Sequence, residues 1–269
     1  MVARLDVTAT LTARRELTPT CYALDLQVEP AMPQPRPGQF VMLGPDPGGR
    51  PFWRRAFSVA AYRPGHGTAT VELMVREVGE GTALWRRLPL GSRARLLGPL
   101  GNGFAPPPSG TRVALVAGGI GLPPLLFHLE RPEGEGWTAD LLYGAATAEE
   151  LIEAERCARA AAGCGGELVV ATDDGSAGFA GVITAALEER LARGRYHLIR
   201  ACGPLPMLRE VARIAAVHGV PAELALEERM ACGVGVCLGC VVPAASGGHH
   251  RVCLEGPVFP AEAVRWGEL

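Results

Sequence analysis

Four of the chain's eight cysteines fall in its last 40 residues: Cys232, Cys237 and Cys240 in MACGVGVCLGC, and Cys253 in CLEGPVF. Their spacing is C-x4-C-x2-C-x12-C. The first three reproduce the plant-type [2Fe–2S] pattern, with a shorter gap to the fourth. Two irons and two sulfides make a bulky anionic unit that a short backbone must wrap. Gly233, Gly235 and Gly239 let the chain approach it and aim N–H groups at sulfur without Cβ clashes. Such hydrogen bonds help set the reduction potential. The competing reading is structural zinc, which usually uses two paired C-x2-4-C knuckles; here there is one tight pair, and the remaining near thiol sits five residues upstream. His249 and His250, between the third and fourth thiols, raise a Rieske-like role against the plainer account of exposed loop residues.

Two further stretches suit nucleotides. RRAFSVA (54–60) sets Arg55, Phe57 and Ser58 at the end of an expected barrel strand. An Arg fork grips a pyrophosphate in two places, and a hydroxyl a few residues on alternates towards a flavin ring. Alone, R-x-F-S is equally a surface Arg on a strand. It gains weight from MVREVGEGTALWRRL (74–88), where Gly79 and Gly81 precede a helix whose N-terminus, with Thr82, forms an anion site. Two phosphate-binding elements in one domain favour FAD over FMN.

VALVAGGIGLPPL (113–125) reads as strand, glycine turn and helix, with Gly118, Gly119 and Gly121 allowing a pyrophosphate to rest on the helix N-terminus. It is not G-x-G-x-x-G, so a tight β–α turn without a ligand is the even alternative. TDDGS (172–176), with Asp174, and CGP (202–204), with Cys202, Gly203 and Pro204, end the third and fourth expected strands of the same unit. Ligands of open α/β sheets bind at such carboxyl ends. Cys202 is either a nicotinamide contact or an inert strand-end thiol. After the second strand, GAATAEEL offers acids and no Arg for a 2′-phosphate, which favours NAD over NADP.

The elements that must position these residues change character along the chain. Six short alternating or apolar runs in the first hundred residues, broken by Pro and Gly, predict a small antiparallel barrel over 1–101, with one short helix, TALWRRL. After the linker GPLGNGFAPPPSGT, strands and helices alternate over 111–228, predicting a doubly wound, five-stranded parallel sheet. Residues 229–269 carry the cysteines and little regular structure.

Composition narrows the classes. Net charge is −2 with no basic run, so nothing favours nucleic acid or an anionic lipid surface. Every basic residue is Arg, which excludes lysine-based catalysis. The N-terminus lacks a signal-peptide apolar region, and no apolar stretch approaches the roughly 20 residues of a membrane span. A cytoplasmic protein is expected, in which clustered thiols indicate metal and the scattered Cys21, Cys157, Cys164 and Cys202 are small buried hydrophobes by default.

A barrel with R-x-F-S followed by a domain with G-G-x-G and C-G-P resembles the ferredoxin–NADP reductase superfamily. With LEERMACGVGVCLGCVV and the C-x-x-G-P-V-F tail, the chain resembles over nearly all its length the electron-transfer subunits of NAD-dependent, class 1B dihydroorotate dehydrogenases, the cysteine segment being most specific. One departure is Ala56, where that family often has Pro. The resemblance implies an FAD-binding barrel, an NAD-binding α/β domain and a [2Fe–2S] region ligated by Cys232, Cys237, Cys240 and Cys253. It also implies FAD contacts at Arg55, Ala56, Phe57, Ser58, Met74, Val75, Arg76, Gly81 and Thr82. A separate FMN-containing subunit would oxidise dihydroorotate in pyrimidine biosynthesis, in a complex with two copies of each subunit, and NAD⁺ would be the final acceptor. No general acid or base for dihydroorotate is expected on this chain. The alternatives are a redox subunit of the same build, such as a ferredoxin–NAD reductase or a sulfide dehydrogenase subunit, and a zinc-binding module that senses NAD(H).

Overall fold

The apolar alternation of the first hundred residues closes on itself. The computed structural model describes residues 5–45, 49, 53–131, 134, 136–194 and 196–269. Strands β1 (Leu5–Glu16), β2 (Cys21–Glu29), β3 (Phe40–Pro45), β4 (Arg55–Pro64), β5 (Ala69–Arg76) and β6 (Arg93–Leu100) form a closed antiparallel barrel in the order β1-β2-β5-β4-β3-β6. The side chains that alternate inward, among them Leu24, Leu26, Val41, Val59, Val71, Leu73 and Leu96, fill it completely. Each is worth about 1.5–3 kcal/mol of burial. A short helix, α1 (Glu80–Arg87), joins β5 to β6.

The second unit runs β7 (Arg112–Gly118), α2 (Leu122–Glu130), β8 (Thr138–Ala145), α3 (Ala154–Gly163), β9 (Leu168–Thr172), β10 (Phe179–Ala180), α4 (Ile183–Leu191), β11 (Leu198–Cys202), α5 (Leu205–His218) and β12 (Ala222–Ala225). The continuous apolar run of β7 serves two faces. Val113, Leu115 and Ala117 pack towards α2 and α3, while Ala114 and Val116 pack towards α4 and α5. Helices on both faces make the sheet doubly wound. Its five expected parallel strands are present, but the sheet has seven, in the order β10-β9-β8-β7-β11-β12-β15, where β15 is Val258–Pro260. One edge gains the two-residue β10. The other gains β15 (Val258–Pro260), which runs antiparallel to β12 and comes from the cysteine region. That region also contains the hairpin β13 (Val241–Pro243) and β14 (His249–Arg251). Cys240 and Cys253 share a core with α4, α5 and the barrel residues Phe40 and Met42, so the three regions are packed as one body.

The stretch AEELIEAERCARAAA (148–162) reads as one helix in sequence, but in the structure it is interrupted. A 3₁₀ turn at Ala148–Glu150 is followed by left-handed Glu153 (φ 53°) before α3 begins. The Tyr143 hydroxyl accepts the Ile152 N–H at 3.1 Å, giving the backbone a partner other than the helix ladder. Glu153 meanwhile pairs with Arg15 of the barrel at 2.6 Å.

Two polar devices hold barrel and sheet together. Buried Glu72 of β5 receives Arg156 of α3 at 2.7 Å, Arg15 at 3.0 Å and Arg63 at 3.2 Å. Buried Arg200 of β11 clasps the linker: it donates to the Ala105 carbonyl at 2.5 Å, lies over the Phe104 ring, and pairs with Glu223 at 2.7 Å. Its remaining nitrogen meets His128 Nε2 at 2.6 Å. Burial and the guanidinium charge push the His128 pKa down to about 3, so the ring stays neutral and accepts at Nε2.

Candidate functional site

The segment Arg55–Ser58 opens β4 rather than closing a strand, and all four residues are partly exposed where the barrel wall meets a cleft of about 800 Å³. That volume lies in the range of cofactor sites. Arg55, Ala56, Phe57, Ser58, Met74, Arg76, Gly81 and Thr82 all line it. Val75 does not: β5 alternates, and this side chain points into the barrel core. Any contact it makes to a ligand in the cleft is through its backbone.

One end of the cleft is built from Arg55 and α1. The helix starts at Glu80, so Gly81 and Thr82 lie inside its first turn rather than after a preceding glycine pair. The Thr82 hydroxyl tightens that turn, accepting the N–H groups of Val78 at 2.9 Å and Gly79 at 3.1 Å. First-turn N–H groups have no intrahelical acceptor, and the residues that open α1, Glu80 to Thr82, border the cleft. The Arg55 guanidinium lies against Gly81, where an added Cβ would come within 3.2 Å of Nε. Arg55 has no carboxylate partner among the described residues and binds only the carbonyls of Trp53 and Arg54. Its charge is therefore uncompensated beside a helix N-terminus, a donor set that fits a pyrophosphate.

A second cavity of about 280 Å³ adjoins the first. Gly118, Gly119, Gly121, Gly203 and Pro204 line it, with the GIG triplet forming a 3₁₀ turn into α2. Gly121 must be glycine for packing, because a Cβ would stand 2.3 Å from the Cys202 carbonyl oxygen. Gly119, at φ +52°, has open space in front of it. Cys202 is not at the surface of this cavity. Its thiol is buried among core side chains, and burial raises its pKa well above normal, as for an inert thiol. Asp174 is also off the cavity, beyond β9 at two strands' remove from β7, where its carboxylate accepts from the Ser176 hydroxyl at 2.6 Å.

Five residues line both cavities: Arg76, Ile120, Leu226, Glu227 and Glu228. Of these, the sequence motifs single out only Arg76. Glu227 makes no hydrogen bond or ion pair among the described residues. Although solvent reaches its side chain, the protein packed around it disfavours the charged form and raises its pKa above that of an ordinary glutamate. Its position just past the carboxyl end of the fifth parallel strand was the signal available for it.

The cysteine loop borders the same large cleft through Ala231 and Gly239. Its thiols fall into two pairs. Cys232 and Cys237 are the outer pair, Cys237 being exposed; Cys240 and Cys253 are buried. The Cys232 sulfur accepts N–H groups from Val234 and Cys237, each at 3.5 Å, and the Cys240 sulfur accepts that of Cys253 at 3.5 Å. Burial would raise the Cys232 pKa, but these N–H groups and the Cys237 thiol outweigh it and hold the value down to about 6. Cys253 is shifted the other way by burial and by Cys240. Among the described residues no three His, Cys, Asp or Glu side chains converge as the shell of one metal ion would. Two thiol pairs with N–H groups aimed at sulfur fit a two-iron unit better than one tetrahedral zinc. His250 packs against Phe259 at 5.3 Å between ring centroids, and His249 is exposed at the hairpin.

Residues 227–265 match the family model described as the iron-sulfur cluster binding domain of dihydroorotate dehydrogenase B. Over 254 residues the chain is 34% identical to the dihydroorotate dehydrogenase B (NAD(+)) electron transfer subunit of Desulforamulus reducens, covering 93% of this chain and 94% of that one. It is 37% identical to the subunit of the same name from Geobacillus thermodenitrificans, covering 95% and 96%. Among solved structures, it resembles one of an NADH-dependent reduced ferredoxin-NADP oxidoreductase, studied for flavin-based electron bifurcation, with a TM-score of 0.83 and 28% identity over 97% of this chain and 91% of the other. The fold is also that of a ferredoxin NADP+ reductase from Neisseria gonorrhoeae with bound FAD and NADP, with a TM-score of 0.62 and 22% identity over 81% and 93%.

Proposed function

The chain belongs to the family of electron-transfer subunits of NAD(+)-dependent dihydroorotate dehydrogenase B, and from that premise we propose that it conducts electrons from a dihydroorotate-oxidising partner to NAD⁺ through a [2Fe–2S] cluster and FAD. The observation that carries this reading is contiguity. The cysteine loop, the barrel cleft and the glycine-turn cavity share walls in that order, so three carriers would stand in a row. Flavin accepts electrons singly or in pairs, iron–sulfur only singly and nicotinamide in pairs, so a flavin in the middle position is the required converter.

In this reading Arg55 and the first turn of α1 grip the FAD pyrophosphate, while Phe57, Ser58, Met74 and Phe40 wall its ring. Gly119 leaves room for nicotinamide phosphates, and Gly203 and Pro204 close the far side. Cys232, Cys237, Cys240 and Cys253 hold the cluster. Exposed Val236 and Leu238 surround Cys237 on the outer rim, an apolar surface suited to docking the FMN-containing subunit. Leu238 keeps a left-handed backbone (φ 58°) that turns the chain between the second and third thiols. Two copies of each subunit form the proposed complex. No helix among the described residues is long and apolar enough to cross a membrane. All eight cysteines are unpaired, which suits the reducing cytoplasm.

The test is an absorption spectrum of the purified complex, with iron, acid-labile sulfide and flavin quantified together. NADH should bleach the flavin band, and dihydroorotate should do so only when the partner is present. An unchanged spectrum in a cofactor-replete sample would refute the assignment.

A further inference from the structure

A charged pair stands beside the cysteines. Arg251 ends β14, two residues before Cys253. Its Nη1 donates to the Gly235 carbonyl oxygen at 3.1 Å. Its Nε and its backbone N–H donate to the Glu255 carboxylate at 3.1 and 2.7 Å, and Nη2 adds a further bond to the same group. Gly235 lies between Cys232 and Cys237 in a left-handed conformation (φ +84°), and an added Cβ would meet Leu254 at 2.8 Å. The turn around this glycine also supplies the Val234 and Cys237 N–H groups that donate to the Cys232 sulfur, each at 3.5 Å. One side chain therefore ties the outer turn of the loop to the buried thiol pair.

We propose that Arg251 is a positioning residue that raises the reduction potential of the cluster. It fixes the Gly235 carbonyl, and with it the turn whose Val234 and Cys237 N–H groups are aimed at the Cys232 sulfur, and it places a positive charge, partly offset by Glu255, two residues from Cys253. The proposal rests on the cluster reading. Reduction adds one electron and one unit of negative charge; N–H donors and a nearby cation stabilise that added charge and favour the reduced form. Glu255 orients the fork and tempers its charge, so the two residues act with opposite sign.

The test uses the assembled complex carrying R251Q, R251K or E255Q. Iron and acid-labile sulfide are counted, and the cluster is titrated with dithionite under paramagnetic resonance detection. R251Q should retain its cluster and become harder to reduce by at least about tenfold in the one-electron equilibrium constant, about 59 mV. R251K, which keeps the charge but not the fork, should recover only part of that shift. E255Q should move the midpoint the opposite way. A full cluster at the wild-type midpoint in R251Q overturns the proposal. If R251Q fails to load, E255Q decides: a full cluster whose midpoint is unmoved or more negative overturns it. Failure of the cluster reading looks different, since wild-type protein would then contain no acid-labile sulfide.

Discussion

Gly81→Ala separates binding from stability at the proposed flavin site. Gly81 sits in the first turn of α1 with ordinary helical backbone, so alanine there costs no strain and gains up to about 1 kcal/mol of helix propensity. The new Cβ, however, would lie 3.2 Å from Arg55 Nε and 3.4 Å from both Cζ and Nη2. The guanidinium must retreat by a few tenths of an ångström, away from the helix N-terminus it shares. A hydrogen bond to a charged group is worth about 1.5–3 kcal/mol, so losing one of the Arg55 bonds to a pyrophosphate should weaken FAD binding about 10- to 150-fold. The assay pairs fluorescence titration of FAD into the apoprotein with thermal melting of the same sample. Tm should hold or rise while affinity falls, and Arg55→Ala should lose at least as much affinity. Wild-type FAD affinity in both variants would refute the placement of the pyrophosphate at Arg55 and α1.

The remaining predictions follow from burial and charge. Leu238→Asp, on the exposed rim of the cysteine loop, should leave iron and flavin content intact and weaken assembly with the catalytic partner by about 1.4 kcal/mol or more, tenfold in Kd, by sedimentation; undiminished assembly would exclude this rim as the docking surface. Cys202→Ala should cost about 1 kcal/mol of stability and leave NADH-driven flavin bleaching unchanged, because the thiol is buried away from the cavity. A marked loss of hydride-transfer rate in that variant would show that the thiol reaches the nicotinamide after all. Burial alone would raise the Glu72 pKa, but hydrogen bonds from Arg156 and Arg63 and the charge of Arg15 hold it below the usual glutamate value. Its stabilisation is therefore complete above that usual value and is lost as pH falls through the lower folded value. Tm measured from neutral to acid pH should drop across that window, and Glu72→Gln should flatten the drop; an unaltered profile would discount the interdomain pair.

Much of the site was legible because its chemistry is local. C-x4-C-x2-C with intervening glycines places three of the four proposed cluster thiols within nine residues, and R-x-F-S marks a strand whose residues Arg55 to Ser58 all border the cleft. Residues whose role depends on side-chain direction were harder to read. Val75 is adjacent to the cleft-lining Met74 and Arg76, yet the two-residue period of β5 turns it into the barrel core. Cys202 neighbours the cavity-lining Gly203 and Pro204, yet its thiol faces the sheet core. Glu227 belongs to no short pattern and matters only because two cavities meet beside it.

By itself the sequence determined what depends on period and spacing: six alternating runs for a barrel, five apolar strands between helices, four thiols around one loop. These follow because strand and helix periods dictate which face is buried, and because a cluster's ligands must lie within reach of one short backbone. Only the tertiary structure decided the junctions. β15 adds the cysteine region to the sheet edge, Arg200 clasps the linker, and Glu72 gathers three arginines from the barrel and α3. Apart from Arg63 with Glu72, those contacts join residues more than 20 positions apart through chain closure and packing, which no local pattern encodes.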